Sequence, residues 1–139
     1  MNWQNLYRDR IQTAEQAVLR INSNMRVFLT GNCSVPQKVL EALAARAPQL
    51  SNVEIAQVLT VGPADYVAPE MEGHLRVNTL FISENVRAAV NDGRADFTPC
   101  FLSEISDLFR SGRLPLDVAL IQVSPPDDHG FCSFGVEVG

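Results

Sequence analysis

The sequence predicts an α/β domain: an open, mainly parallel sheet flanked by helices. Three observations point there. Short apolar and β-branched runs alternate with stretches in which apolar side chains recur at helical spacing. The run Val118-Ala-Leu-Ile-Gln-Val123 is almost continuously apolar, the pattern of a strand covered on both faces. The next segment, Ser124-Pro-Pro-Asp-Asp-His-Gly130, packs two prolines, two carboxylates, an imidazole and a glycine into seven positions. Ligands of open α/β sheets bind just beyond the carboxyl ends of strands, so this loop is the first candidate site.

Each element has its own signal. Thr13-Ala-Glu-Gln16 fits a capping box, and Ala14, Ala17, Val18 and Ile21 follow at helical spacing. Asn22-Ser-Asn24 closes that helix as a polar turn. A strand is expected over 26–30, then a tight loop, Gly31-Asn-Cys-Ser34. Ser34-Val-Pro-Gln37 reads as a second capping box with proline in the first turn, where its missing N–H costs nothing. Val39, Leu40, Leu43, Ala44 and Ala47 form the inward stripe of the helix it opens, and Pro48 ends it.

A strand is expected over 53–61, stopped by Gly62-Pro63. Residues 64–73 form a polar, proline-containing loop, long enough to be functional rather than a mere connection. A strand over 75–82 and a helix over 84–91 follow, with Ser83 as its cap and Asp92-Gly93 as its close. Then come a short strand over 95–99, a helix over 102–110 with Ile105, Leu108 and Phe109 inward, and the strand over 116–123. Residues 131–138 are expected to start one more strand. Strands separated by helices imply parallel crossovers.

Composition narrows the function. The 139 residues suffice for one domain with a real core, and 46% hydrophobic with 19% charged residues excludes wholesale disorder. A net charge of −5 argues against nonspecific nucleic-acid binding, which needs a basic surface. No run approaches the roughly 18 apolar residues of a membrane span, and the first ten residues carry no apolar signal segment. Cys33, Cys100 and Cys132 are far apart without a Cys-x-x-Cys pair. They read as reduced thiols in or near the core of a cytoplasmic protein, not as metal ligands.

Several side chains have two readings. Asp127, Asp128 and His129 could orient a substrate or hydrogen-bond their own loop into shape; consecutive side chains diverge, so they make poor metal ligands. Gly31-Asn-Cys-Ser34 lies between a strand and a helix start, where free N–H groups favour an anion, or it is an ordinary turn. It lacks the lysine of a phosphate loop. Cys33 beside a helix start could be a nucleophile, although a small buried side chain is the plainer reading. His74 reads as a loop-tethering or surface histidine. Glu84, in Ser83-Glu-Asn85, could be read as a nucleophile, but a helical pattern begins at once and Val86 follows. A carboxylate in a first helical turn is favoured by the dipole without any catalytic role.

A set of segments in order carries a resemblance. Gly31 with Pro36-Gln-Lys-Val-Leu-Glu-Ala-Leu43, Leu59-Thr-Val-Gly-Pro63, Glu72-Gly-His-Leu-Arg76, Asn85-Val-Arg87 and Asn91-Asp-Gly-Arg-Ala-Asp96 come first. Phe101-Leu-Ser-Glu-Ile105, Gly112-Arg-Leu-Pro-Leu-Asp-Val-Ala-Leu-Ile121 and Ser124-Pro-Pro-Asp-Asp-His-Gly130 complete them, the last two being the most specific. Together they resemble the N-terminal domain of the acetyl-CoA hydrolase/transferase family, 4-hydroxybutyrate CoA-transferase-like members included.

The resemblance implies an enzyme that moves CoA between carboxylic acids, such as acetyl-CoA and a short-chain or hydroxy acid. CoA thioesters would be its substrates, with no tightly bound cofactor and no metal. Family members have two related α/β domains, and a glutamate of the C-terminal domain becomes a glutamyl-CoA thioester. Residues 1–139 would then be a single N-terminal domain without catalytic residues of its own, inactive alone. Its substrate-facing wall would include Gly31, Asn32, Pro36 and Gln37 from one loop. Ser124, Pro125, Pro126, Asp127, His129 and Gly130 would supply the other. The C-terminal domain is the expected partner, and an uncovered apolar face predicts self-association, as a dimer. The competing classes are a stand-alone small-anion binding or scaffold domain and a half-enzyme completed in trans.

Overall fold

A computed structural model describes Asn5 and residues 7–136. The first helix, α1 (Ala14–Ala17), opens as expected. Thr13 Oγ1 accepts the Gln16 amide at 3.3 Å, and the Gln16 side chain accepts the Thr13 amide at 3.1 Å. The helix tightens into a 3-10 turn over Val18–Arg20, and the chain reverses through Asn24 at φ +67°.

Three further helical and five strand segments follow in the expected order: β1 (Arg26–Leu29), α2 (Gln37–Arg46), β2 (Val53–Gln57), β3 (Leu75–Thr79), α3 (Glu84–Asn91), β4 (Asp96–Phe97), α4 (Ile105–Arg110) and β5 (Val118–Leu120), with 3-10 turns between them. The described strands form one parallel sheet in the order β4-β3-β2-β1-β5. Register places Val27 opposite Ile55 and Val118, and Ile55 opposite Val77. The sheet is therefore the open parallel one that the alternation of elements predicts.

The period of two divides the core. Val27, Leu29, Val53, Ile55, Leu75 and Val77 share one face and pack against Val18, Ile21, Leu40 and Leu43. Each such side chain contributes about 1.5–3 kcal/mol by leaving water. The opposite face holds a smaller cluster of Ala56, Leu80 and Leu114 against Ile105, Leu108 and Phe109. Phe28 and Phe109 meet there edge to face, ring centroids 5.4 Å apart. Toward the amino ends this second face turns polar: Arg26 makes two bonds to Glu54, at 2.7 and 2.9 Å. A groove of 340 Å³ between α4 and the sheet, lined by Phe28, Val58, Leu102, Ile105, Phe109 and Leu116 among others, stays open to solvent.

Several expectations need correction. Ser34 does not cap α2; Pro36 takes the N-cap position, with no side-chain bond to the helix. The Gln37 side chain reaches the carbonyl of Val61 instead, a partner distant in sequence. β2 stops at Gln57 rather than Val61 and β3 at Thr79 rather than Ile82. The strand at 118–120 is not covered on both faces, since Ala119 is exposed; among the described residues it also lies at the edge of the sheet. Within 131–136 there is no strand, and 137–138 lie outside the described residues. Cys33 and Cys132 are exposed rather than in the core, and Cys100 is half-buried.

The loop over 64–73 is the crossover between two parallel neighbours, β2 and β3. Two 3-10 turns build it, Asp65–Val67 and Pro69–Met71, and Tyr66 is buried beneath it. His74 does tether a loop, with Nδ1 2.7 Å from the Leu50 carbonyl. Among the described residues no helix is long and apolar enough to cross a membrane.

Candidate functional site

The carboxyl ends of β5, β1 and β2 continue side by side past the sheet. The Thr30 amide donates to the Leu120 carbonyl at 3.1 Å, and the Gln122 amide donates to Thr30 Oγ1 at 3.2 Å. Thr30 Oγ1 in turn donates to the Ser34 carbonyl at 2.7 Å, closing the loop after β1. Asn32 bridges to Thr60 as an isolated parallel pair, its amide 2.6 Å from the Leu59 carbonyl. Gly31 is required here by space rather than by dihedral angle. A Cβ on it would lie 2.2 Å from the Leu59 carbonyl oxygen, inside any allowed contact.

Residues 59–62 form the second line of this edge. Gln37 Nε2 donates to the Val61 carbonyl at 3.3 Å, and Asn85 Nδ2 donates to the Gly62 carbonyl at 3.0 Å. Gly62 has φ +103°, which favours glycine, and the Gln37 side chain stands where its Cβ would be. Gly31, Asn32 and Gln37, all expected site residues, thus converge on one short segment, and Pro36 is buried behind them.

Beneath that segment lies a polar cluster that the sequence reading missed. Gln57, at the end of β2, is fully buried and must find partners. Tyr66 OH donates to Gln57 Oε1 at 2.9 Å, and Gln57 Nε2 donates to Thr60 Oγ1 at 3.0 Å. Thr60 Oγ1 contacts Asn85 Oδ1 at 3.3 Å, and Ser83 Oγ donates to the same oxygen at 2.7 Å. Ser83 thus spends its hydroxyl on Asn85, although it occupies the N-cap of α3. Burial pushes the Tyr66 phenol above its usual range, which keeps it a proton donor. The buried glutamine closing a strand was the available signal.

The cluster opens into a cleft of 440 Å³ lined by Leu59, Thr60, Val61, Gly62, Ser83, Glu84 and Asn85. Glu84 is exposed at the start of α3, where the helix dipole favours its charge.

The 124–130 loop is built differently. Asp127 Oδ1 accepts the amides of His129 at 2.8 Å and Phe131 at 2.9 Å. Asp127 also exchanges backbone bonds with Gly130 and Phe131, and the Ser124 hydroxyl accepts the Ser133 amide. Of the two readings for Asp127, loop shaping is the one this geometry displays. Pro125, Asp128 and His129 are exposed, and Pro126 and Gly130 half-buried. A Cβ on Gly130 would stand 2.8 Å from the Tyr7 hydroxyl, so Tyr7 rests on this turn. The first loop and this one are neighbours through Thr30 and Gln122. Among the described residues no group of three His, Cys, Asp or Glu side chains is placed to hold a metal ion.

An open parallel sheet with loops from adjacent strands gathered at its carboxyl edge defines an α/β domain of the kind whose ligands bind at that edge. The family model for the acetyl-CoA hydrolase/transferase N-terminal domain matches residues 1–139, and the chain belongs to that family. It is 43% identical over 136 residues to a 4-hydroxybutyrate coenzyme A transferase of Clostridium kluyveri, covering 98% of this chain and 32% of that protein. The crystal structure of a 4-hydroxybutyrate CoA-transferase from Porphyromonas gingivalis superposes with TM-score 0.76 at 32% identity, over 97% of this chain and 30% of that one. RipA from Yersinia pestis shares the fold, with TM-score 0.82 at 23% identity, over 98% of this chain and 34% of its own. The chain thus spans about a third of the length of the relatives it matches.

Proposed function

We propose that this chain forms the N-terminal part of an enzyme that moves CoA between carboxylic acids, taking acetyl-CoA and a short-chain or hydroxy acid. The observation that carries the reading is the 43% identity to a CoA-transferase over nearly the whole chain. The clustered loops at the carboxyl edge agree with it. In this reading Gly31, Asn32, Pro36 and Gln37 form the nearer wall of the substrate cleft. Ser124, Pro125, Pro126, Asp127, His129 and Gly130 form the farther one.

None of these side chains is the nucleophile. A glutamate on a C-terminal domain attacks the acyl-CoA carbonyl, giving an acyl-glutamyl anhydride and CoA thiolate; the thiolate then attacks the glutamyl carbonyl, leaving glutamyl-CoA and the free carboxylate. A carboxylate then takes the CoA in a transferase, whereas water releases it in a hydrolase. The N-terminal wall positions acyl and carboxylate groups for that exchange, which is worth much of a barrier when reacting atoms are held in line. The 139 residues alone are accordingly inactive. The open groove beside Phe109 and the exposed Phe101, Leu102, Ile121 and Val123 support cover by a further domain or by a second copy in a dimer. The compartment proposed is the cytoplasm.

The test joins or mixes this chain with the C-terminal part of the Clostridium kluyveri relative. Exchange of labelled acetate into acetyl-CoA is then followed. Activity of the completed enzyme and none of the chain alone is the expected result. Full activity of the 139 residues by themselves contradicts the division of labour, and a completed enzyme that exchanges no acyl-CoA with any carboxylate contradicts the reading altogether.

A further inference from the structure

We infer that Asn85 is a positioning residue for the substrate cleft: by holding the Gly62 carbonyl it fixes the backbone of residues 59–62 that forms the cleft wall. Its role toward substrate rests on the CoA-transfer reading; the clamp itself does not.

Counting protons makes the cluster directional. Tyr66 has one hydroxyl hydrogen, and the Gln57 oxygen at 2.9 Å takes it. Gln57 then has only its amide hydrogens to offer, and Thr60 Oγ1 accepts one. The Thr60 hydroxyl hydrogen goes to Asn85 Oδ1 or to Ser83 Oγ, both 3.3 Å away, and Ser83 donates to Asn85 Oδ1 at 2.7 Å. An oxygen that accepts the Ser83 hydroxyl fixes the orientation of the Asn85 amide, so Nδ2 points to the Gly62 carbonyl. The relay runs from a fully buried glutamine at the end of β2 to a backbone carbonyl on the cleft wall.

The wall needs such a clamp. Carbonyl oxygens left free in the cleft would repel the carboxylate and thioester oxygens of the substrates. Three side-by-side acceptors are instead occupied: Leu59 by the Asn32 amide, Val61 by Gln37 and Gly62 by Asn85. Gln37 reaches this segment from α2. Asn85 is itself one of the residues that line the cleft.

Amide hydrogen exchange on the 139-residue chain tests the clamp. Asn85→Ala and Asn85→Asp both remove the donor, and Asp keeps the acceptor for Ser83. Each is expected to speed exchange at the amides of 60–62 by about tenfold or more. Thr98→Ala is the matched control; it removes a bond to Asn78 at 2.8 Å near β4 and should leave 60–62 unchanged. In the completed enzyme both Asn85 variants should raise KM for the carboxylate about tenfold with kcat within about threefold. Unchanged exchange at 60–62, or a rise there equal to that of the control, overturns the clamp. An unchanged KM in an active completed enzyme overturns the substrate role. A completed wild-type enzyme without exchange activity overturns the functional reading and the substrate role together, while the hydrogen-exchange result still upholds or overturns the clamp.

Discussion

Asp127 Oδ1 holds the amides of His129 and Phe131, so the 124–130 loop is bonded to itself. Residues 59–62 are held by others: Asn32 from the loop after β1, Gln37 from α2 and Asn85 from α3. Both segments lie at the same edge of the sheet. One is dense in recognisable side chains and locally determined. The other is plain in sequence and shaped by residues far away in the chain. A motif that stands out in one dimension is therefore no guide to which wall of a cleft is the more rigid.

The comparison breaks most sharply at Gly31. Gly31→Ala would drive a methyl group into the Leu59 carbonyl and push the two loops apart. Overpacking against backbone predicts a loss of about 3 kcal/mol, read from the urea midpoint. A midpoint within error of wild type would show that residues 59–62 yield easily. Tyr66→Phe comes next. It leaves the buried Gln57 oxygen without its 2.9 Å donor, a cost of about 2 kcal/mol by the same measurement.

Asp127→Ala should cost less, about 1 kcal/mol, because the loop is exposed and water replaces the lost bonds. Its mark is local. Exchange at the amides of His129 and Phe131 should rise, while 60–62 stay as they were; a rise at 60–62 would mean the two walls are coupled.

The smallest effect lies at the far edge. The Arg76 guanidinium beside Asp96 holds its carboxyl below the ordinary value of 3.8. A lowered folded value stabilises above the ordinary one, and that stability is lost as pH falls through the folded value. Both side chains are about half exposed, so the contribution is about 0.5 kcal/mol or less. Asp96→Asn should flatten the fall in melting temperature below pH 4 slightly. An identical acid profile for both proteins would leave the pair without measurable weight.

What was legible in the sequence was what is decided locally. The Thr13 capping box closes within four residues, so its pattern sufficed. The alternation of apolar runs and helical stripes likewise placed every described strand and gave the parallel sheet, because periodicity records which face is buried. Ser34-Val-Pro-Gln37 failed as a capping box for the complementary reason: Gln37 prefers a carbonyl 24 positions away. The same limit hid the Tyr66, Gln57 and Asn85 relay, whose members meet only when three elements pack. The run at 118–123 misled in a third way. Apolar content reports a need for cover, and within the described residues β5 has a neighbour on one side only. Gly31, Asn32 and Gln37 proved neighbours of a cleft wall, while Asp127 proved a builder of its own loop.

The central claim is that the wall beginning at Gly31 faces acyl-CoA in the working enzyme. Cys33 is an exposed natural reporter within that wall, and half-buried Cys100 lies near α4 as an internal reference. Site-resolved alkylation of both thiols in the completed enzyme, with and without acetyl-CoA, tests the claim most directly. Acetyl-CoA should slow modification of Cys33 and leave Cys100 unchanged. An enzyme that turns over while Cys33 reacts at the same rate with and without saturating acetyl-CoA would contradict it.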